Sequence, residues 1–221
     1  DVYKRQYQFW MNSASGFRGD GAFGQFCIVL PEYDAVLAIT SGSGNMGGIM
    51  KQAWEHLLPG MKDGALPDDE AAASLLEQKL KALAILPPEG MDPPKQVKKI
   101  SGETYAMEEN MLSITGLEFE FGKKEHTLTL TTVDDQQVIR MIPGQWTEGK
   151  MHVPNWESSL MAATSRWTGE TSYEIQIRHT ETPYLITFTF QFEEDKVSME
   201  SKMNVSFGPS EFPKITGKKV N

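Results

Sequence analysis

The stretch Leu185–Asp195, LITFTFQFEED, decides how the larger part of this chain folds. Phe188, Phe190 and Phe192 fall on alternate residues, with Thr187, Thr189 and Gln191 between them. Successive side chains of a strand point to opposite faces, so this stretch has one apolar face and one polar face. That is the pattern of an antiparallel sheet buried on one side only. The same period runs through LEFEFG from Leu117, HTLTLTTV from His126, VIRMIPG from Val138 and YEIQIRH from Tyr173, and more loosely through KVSMESKMNVSF from Lys196. About eight turn-separated strands predict a meander, a curled sheet or an up-and-down barrel over residues 95–221. Trp146, Trp156 and Trp167 are the candidates to fill its interior.

Upstream the pattern changes. Pro87–Pro94, PPEGMDPP, reads as a stiff linker. Before it, a helix is predicted over Asp68–Leu86, with Asp68, Asp69 and Glu70 at its positive end and Lys79 and Lys81 later. Ala72, Leu75, Leu76, Leu80 and Leu83 form its apolar stripe. Residues 63–94 thus make a helix-and-linker segment. Nearer the start, Gln6–Asn12 reads as an aromatic strand and Ser13–Asp20 as a loop. Phe23–Leu30 and Ala35–Thr40 are so apolar that they are expected to be covered on both faces. Asn45 is placed to cap a helix whose Met46, Ile49, Met50, Ala53, Trp54 and Leu57 recur at helical spacing, and Pro59-Gly60 ends it. The opening residues 1–6, DVYKRQ, look like a translated transposon-end adaptor, a scar outside fold reasoning. The alternative is that Val2 and Tyr3 simply begin a strand.

Composition excludes more than it assigns. Of 221 residues, 39% are hydrophobic and 23% charged, which supports a packed core. A net charge of -9 argues against a nucleic-acid partner, which needs a basic face. The single cysteine, Cys27, rules out an intrachain disulfide and is expected to be a small buried hydrophobe. No apolar run approaches the roughly 20 residues of a membrane span. The histidines, His56, His126, His152 and His179, lack ligand spacing, so no metal and no cofactor are expected. Asp134-Asp135 and Glu193-Glu194 read as solvated turns. No Ser-x-x-Lys occurs, and Ser41-Gly42-Ser43-Gly44 has no His or Asp placed to complete a nucleophile elbow.

The stretch GDGAFGQFCIVLPEYDAVLAITSG, Gly19–Gly42, raises a separate question: why small residues precede two apolar strands. Together with YQFWMN before it and MKQAWEHLLP after it, this stretch resembles the C-terminal end of the catalytic domain of beta-lactamase-related serine hydrolases. That family includes class C beta-lactamases, penicillin-binding proteins and esterases. The resemblance covers Tyr7 to about Met61, and the domain is drawn as residues 7–62. The β-rich residues 95–221 resemble the lipocalin-like domain appended to many such hydrolases. The fold class expected is therefore α+β: a truncated antiparallel sheet plus C-terminal helix, followed by an all-β barrel-like domain.

The resemblance implies acyl-enzyme chemistry on an ester, amide or beta-lactam substrate, in a bacterial envelope or cytoplasm. The nucleophile, Lys and Tyr would lie upstream, so this chain alone would be inactive. It places Gly19, Asp20 and Gly21 in the Lys/His-Thr-Gly turn and makes the backbone amide of Ala22 an oxyanion donor. Asp20 departs from that motif, and no Lys or His leads it, which points toward the esterase and amidase relatives. Arg18 is the candidate substrate contact, a solvated loop arginine being the alternative. Two other functions compete: a barrel that binds an apolar or cell-wall ligand without catalysis, and a structural domain that packs on a partner.

Overall fold

The computed structural model describes residues 5–6, 9–13, 16–62, 64–152 and 159–220. They belong to two compact units, Asp1–Ile85 and Leu86–Asn221. Asp1–Lys4 and Trp156 lie outside the described residues, and with them most of the adaptor reading and one interior tryptophan.

The first unit carries a five-stranded antiparallel sheet in the order β1 (Arg5–Gln6), β2 (Phe9–Met11), β3 (Phe17–Gly21), β4 (Gln25–Leu30) and β5 (Ala35–Ile39). Residues 17–20, expected to be loop, are therefore strand. β3 and β4 pair from Phe17–Val29 to Gly21–Gln25, which leaves Ala22, Phe23 and Gly24 as the reversal. Gly24 has φ +88°, and a Cβ there would sit 2.5 Å from Cδ1 of Ile49. The hairpin itself thus needs this glycine, both for its backbone and to seat the helix that follows. For Gly24, then, the hairpin supplies its own reason for a small residue.

The helix, α1 (Met46–Gln52), begins where the Asn45 side chain accepts a 2.9 Å hydrogen bond from the Gly48 amide, and continues as a π-helical turn over Ala53–Leu57. Its Met46, Ile49, Met50 and Trp54 pack against Phe26, Ile28 and Leu30. Among the described residues of this unit, the helix covers that face of the sheet. Cys27 is exposed, as is Val36, which corrects both the buried cysteine and the doubly covered strands. A second helix, α2 (Glu70–Ala82), is capped by Asp69 and buries none of its residues.

The second unit is a ten-stranded antiparallel sheet. A short helix α3 (Val97–Ile100) leads into β6 (Glu103–Met107), β7 (Ile114–Phe121), β8 (His126–Thr132), β9 (Gln136–Met141) and β10 (Thr147–Met151). Then come β11 (Ser159–Trp167), β12 (Ser172–His179), β13 (Leu185–Glu193), β14 (Lys196–Met203) and β15 (Glu211–Lys219). Each strand pairs with its sequence neighbour except across β9 and β10, and β15 pairs back onto β6. The meander therefore curls into a nearly closed barrel. At the remaining seam, the Gln137 side chain donates to the His152 carbonyl at 2.5 Å and accepts from its amide at 3.2 Å.

Ten strands replace the expected eight because several lack a readable alternation. In β11 both faces are covered: Ser159, Met161–Ser165 and Trp167 are all buried. The Pro-rich segment is partly absorbed too, since the Met91 amide donates to the Trp167 carbonyl at 2.9 Å. The chain as a whole is mostly β, which overturns the α+β expectation.

The alternation in β13 is realised in three dimensions. Phe190 is fully buried opposite Tyr173 and Met199, while Thr187, Thr189 and Gln191 face outward. Replacing Phe190 by Ala should destabilise the barrel by about 3–5 kcal/mol. Replacing Thr189 by Ala should change it by no more than about 0.5 kcal/mol. Urea unfolding followed by circular dichroism compares the two.

Candidate functional site

The hairpin positions singled out in the sequence come together, but they engage one another. Arg18 and Asp20 lie two apart on β3 and so share a face. The guanidinium donates to both carboxylate oxygens of Asp20, at 2.8 and 3.2 Å, and to Oδ1 of Asn12 at 3.0 Å. Gly19 and Gly21 are strand residues, and Ala22 is the exposed first residue of the reversal. Gly19, Asp20 and Gly21 themselves line a groove, together with Phe9, Trp10, Gln25 and Cys27. Among the described residues no group of His, Cys, Asp and Glu could hold a metal, and no helix is long and apolar enough to cross a membrane.

The barrel interior is built differently at its two ends. At the end where α3 leads into β6, it is filled by rings. Phe119 meets Phe190 edge-on at 5.0 Å and Phe192 at 5.1 Å, and Tyr173 lies 5.0 Å from Phe121 and 4.9 Å from Trp167. α3 adds Ile100 to this core. The strand parity that shows in Phe188, Phe190 and Phe192 places most of these residues, and Trp167 is indeed interior.

Within the rings sits one polar cluster that sequence reading missed. His126, at the start of β8, is buried, and its Nδ1 lies 2.8 Å from the Tyr173 hydroxyl and 3.4 Å from Oγ of Ser165. Burial pushes His126 down from its ordinary 6.5 to about 4. It pushes the Tyr173 hydroxyl up, and the hydrogen bond with Ser165 offsets part of that rise. A neutral imidazole accepting the tyrosine proton satisfies this pair. The signal available in sequence was His126 in phase with Leu128 and Leu130, on the apolar face of β8.

The opposite end of the interior holds a cavity of about 300 Å³. Strands β12 to β15 supply its wall with His179, Ile186, Phe188, Ser201, Met203 and Phe212, while Leu112 and Tyr184 come from adjoining loops. These residues line up by register: Ile186 pairs with Ile177 and Met203, and Ser201 with Phe188 and Phe212. His179 is buried, with Nδ1 2.7 Å from Oγ of Ser159, and burial lowers its pKa. The residues that close the filled end are thus absent from this one, where side chains line a space instead of meeting.

No family model matches the chain, and no curated protein matches it. Solved structures do. A fatty acid-binding protein from brain tissue of Drosophila melanogaster aligns at TM-score 0.41 and 11% identity, over 55% of this chain and 99% of that one. The REP1-NXSQ fatty acid transporter aligns at 0.42 and 12%, over 56% and 98%. A secretory abundant heat soluble protein from Ramazzottius varieornatus aligns at 0.38 and 11%, over 48% and 70%. At such values the function of a neighbour does not transfer. The resemblance to beta-lactamase-related serine hydrolases is corrected by the fold: the chain is mostly β, with a nearly closed ten-stranded barrel, where that resemblance implied an α+β domain. The ester, amide or beta-lactam substrate loses its support with it.

His126 gives the barrel an acid-sensitive centre. Its folded-state pKa is depressed, so the stability it supports is complete above about pH 6.5 and is lost as the pH falls toward about 4. His179 shifts in the same direction. The wild-type protein should therefore lose unfolding free energy across this window. In His126→Gln the slope should be shallower, as measured by urea titrations at half-unit pH steps.

Proposed function

We propose that the chain binds a small apolar molecule inside the barrel and performs no catalysis there. The observation that carries this reading is the unfilled end of the interior. Protein interiors are packed as densely as organic crystals, with few voids larger than a water molecule. Against that norm, a half-open space of about 300 Å³ beside a tightly packed ring cluster leaves apolar wall uncovered. It lies at the lower end of the roughly 300–1,000 Å³ typical of ligand pockets. Ile186, Phe188, Met203 and Phe212 offer contact to hydrocarbon, and Met203 is flexible enough to adjust to the shape of what enters.

The polar groups support binding over chemistry. His179 has its Nδ1 engaged by Ser159. The His126–Tyr173–Ser165 cluster lies in the packed half, where it ties β8, β11 and β12 together. The first unit enters this proposal only as a separate module, residues 7–62 with the helix and linker of 63–94 leading to the barrel of 95–221.

The test is saturation binding of the neutral fluorescent probe N-phenyl-1-naphthylamine to the whole chain. One saturable site of micromolar affinity is expected. Met203→Trp should fill the cavity and weaken binding at least about tenfold, while the circular dichroism of the barrel is retained. Absence of saturable binding by the wild-type protein would remove the proposal.

A further inference from the structure

We infer that the cavity takes uncharged ligands and turns away carboxylates; this rests on the barrel being a binding site. The inference comes from which charges the fold places near the cavity and which it keeps away. Among the described residues, no Lys or Arg lines the cavity. The basic residues of the surrounding strands lie on the other face. Arg178 falls between the inward Ile177 and His179, so it points outward, and its guanidinium stands 5.3 Å from the centre of the Trp146 ring. Lys202 falls between the inward Ser201 and Met203 and is held by Glu211 at 2.7 Å. Lys214 on β15 is exposed and pairs with Glu200 at 3.5 Å.

The lining offers an anion little compensation. Its one titratable nitrogen ring, His179, is buried and already bonded to Ser159. Burial favours the neutral form of that ring, so it brings no positive charge to meet a carboxylate. Ser201 and Tyr184 add only hydroxyl groups. A carboxylate carried into such a space would give up its hydration without an ionic partner, a cost far above that of a hydroxyl.

The approach to the cavity has the same bias. The meander puts the loops of residues 108–113, 133–135, 180–184 and 204–210 at the cavity's end of the barrel. They carry Glu108, Glu109, Asp134, Asp135 and Glu181 and contain no Lys or Arg. Like charges at the mouth lower the local concentration of an anion before it meets the lining. The same loops expose Met111, Val133 and Phe207, which offer apolar contact to an incoming neutral molecule.

Displacement of N-phenyl-1-naphthylamine from the whole chain at pH 7.5 tests this with two molecules of equal chain length, 1-decanol and decanoate. Decanol should displace the probe at a concentration at least about tenfold lower than decanoate, a difference of about 1.4 kcal/mol or more. Decanoate binding as tightly as decanol would overturn the inference and leave the binding reading intact. If the probe binds and neither molecule displaces it, or if the probe does not bind, the cavity is not the site and both readings fall. Met203→Lys adds a cation to the wall and should improve decanoate affinity several-fold over the wild-type protein. A folded Met203→Lys protein with unchanged decanoate affinity would count against the charge argument.

Discussion

Three residue pairs, Gly217–Met107, Lys218–Ala106 and Lys219–Tyr105, join the last strand of the barrel to the first. Nearly all of the second unit lies between them, so this contact closes the longest loop in the barrel and carries its entropic cost. The close fit has a local reason. A Cβ on Gly217 would lie 2.4 Å from Sδ of Met107 and 2.9 Å from the Ala106 carbonyl, so only glycine lets the strands meet here. The ion pair of Lys219 with Glu103, at 2.8 Å, reinforces the same edge. Without this closure β6 and β15 would be open edge strands, with unpaired backbone groups beside the buried Tyr105 and Ile215.

Once closed, the interior must be filled or left open, and the chain does both. Large rings occupy the end reached first by α3, where Trp167, Tyr173 and Phe119 are almost wholly buried. Their edge-to-face arrangement gives that half a defined shape beyond simple burial. A packed half holds the strands at fixed separation, and that in turn allows the other half to stay open without collapse. The binding proposal and the charge preference both concern the open half, while the acid-sensitive histidine belongs to the closed one.

Much of this was legible where period two is clean. Phe188, Phe190 and Phe192 identified β13, its inward face and the sheet's one-sided burial. The strands that escaped reading were those in which burial does not alternate, such as β11, or in which the apolar signal is thin, such as TEGKM in β10. The closing pair was invisible because nothing local in ITGKK announces a partner more than a hundred residues away. The cavity was equally hidden: Ile186 and Met203 follow the same pattern as packed residues, and only their neighbours decide whether a space remains. The glycines of the β3–β4 hairpin misled in another way. Gly24 answers to its own φ and to Ile49, needs that the stretch read alone does not show.

The seam between β9 and β10 gives the barrel a mechanical character of its own. Among the described residues, a glutamine side chain clasps a neighbouring peptide there, where the other junctions are made by backbone pairing. A cylinder cut along one line behaves as a split ring. Pulled from either side, it gives first along that line, where side-chain bonds stand in for backbone pairing, and the weave of strands elsewhere stays whole.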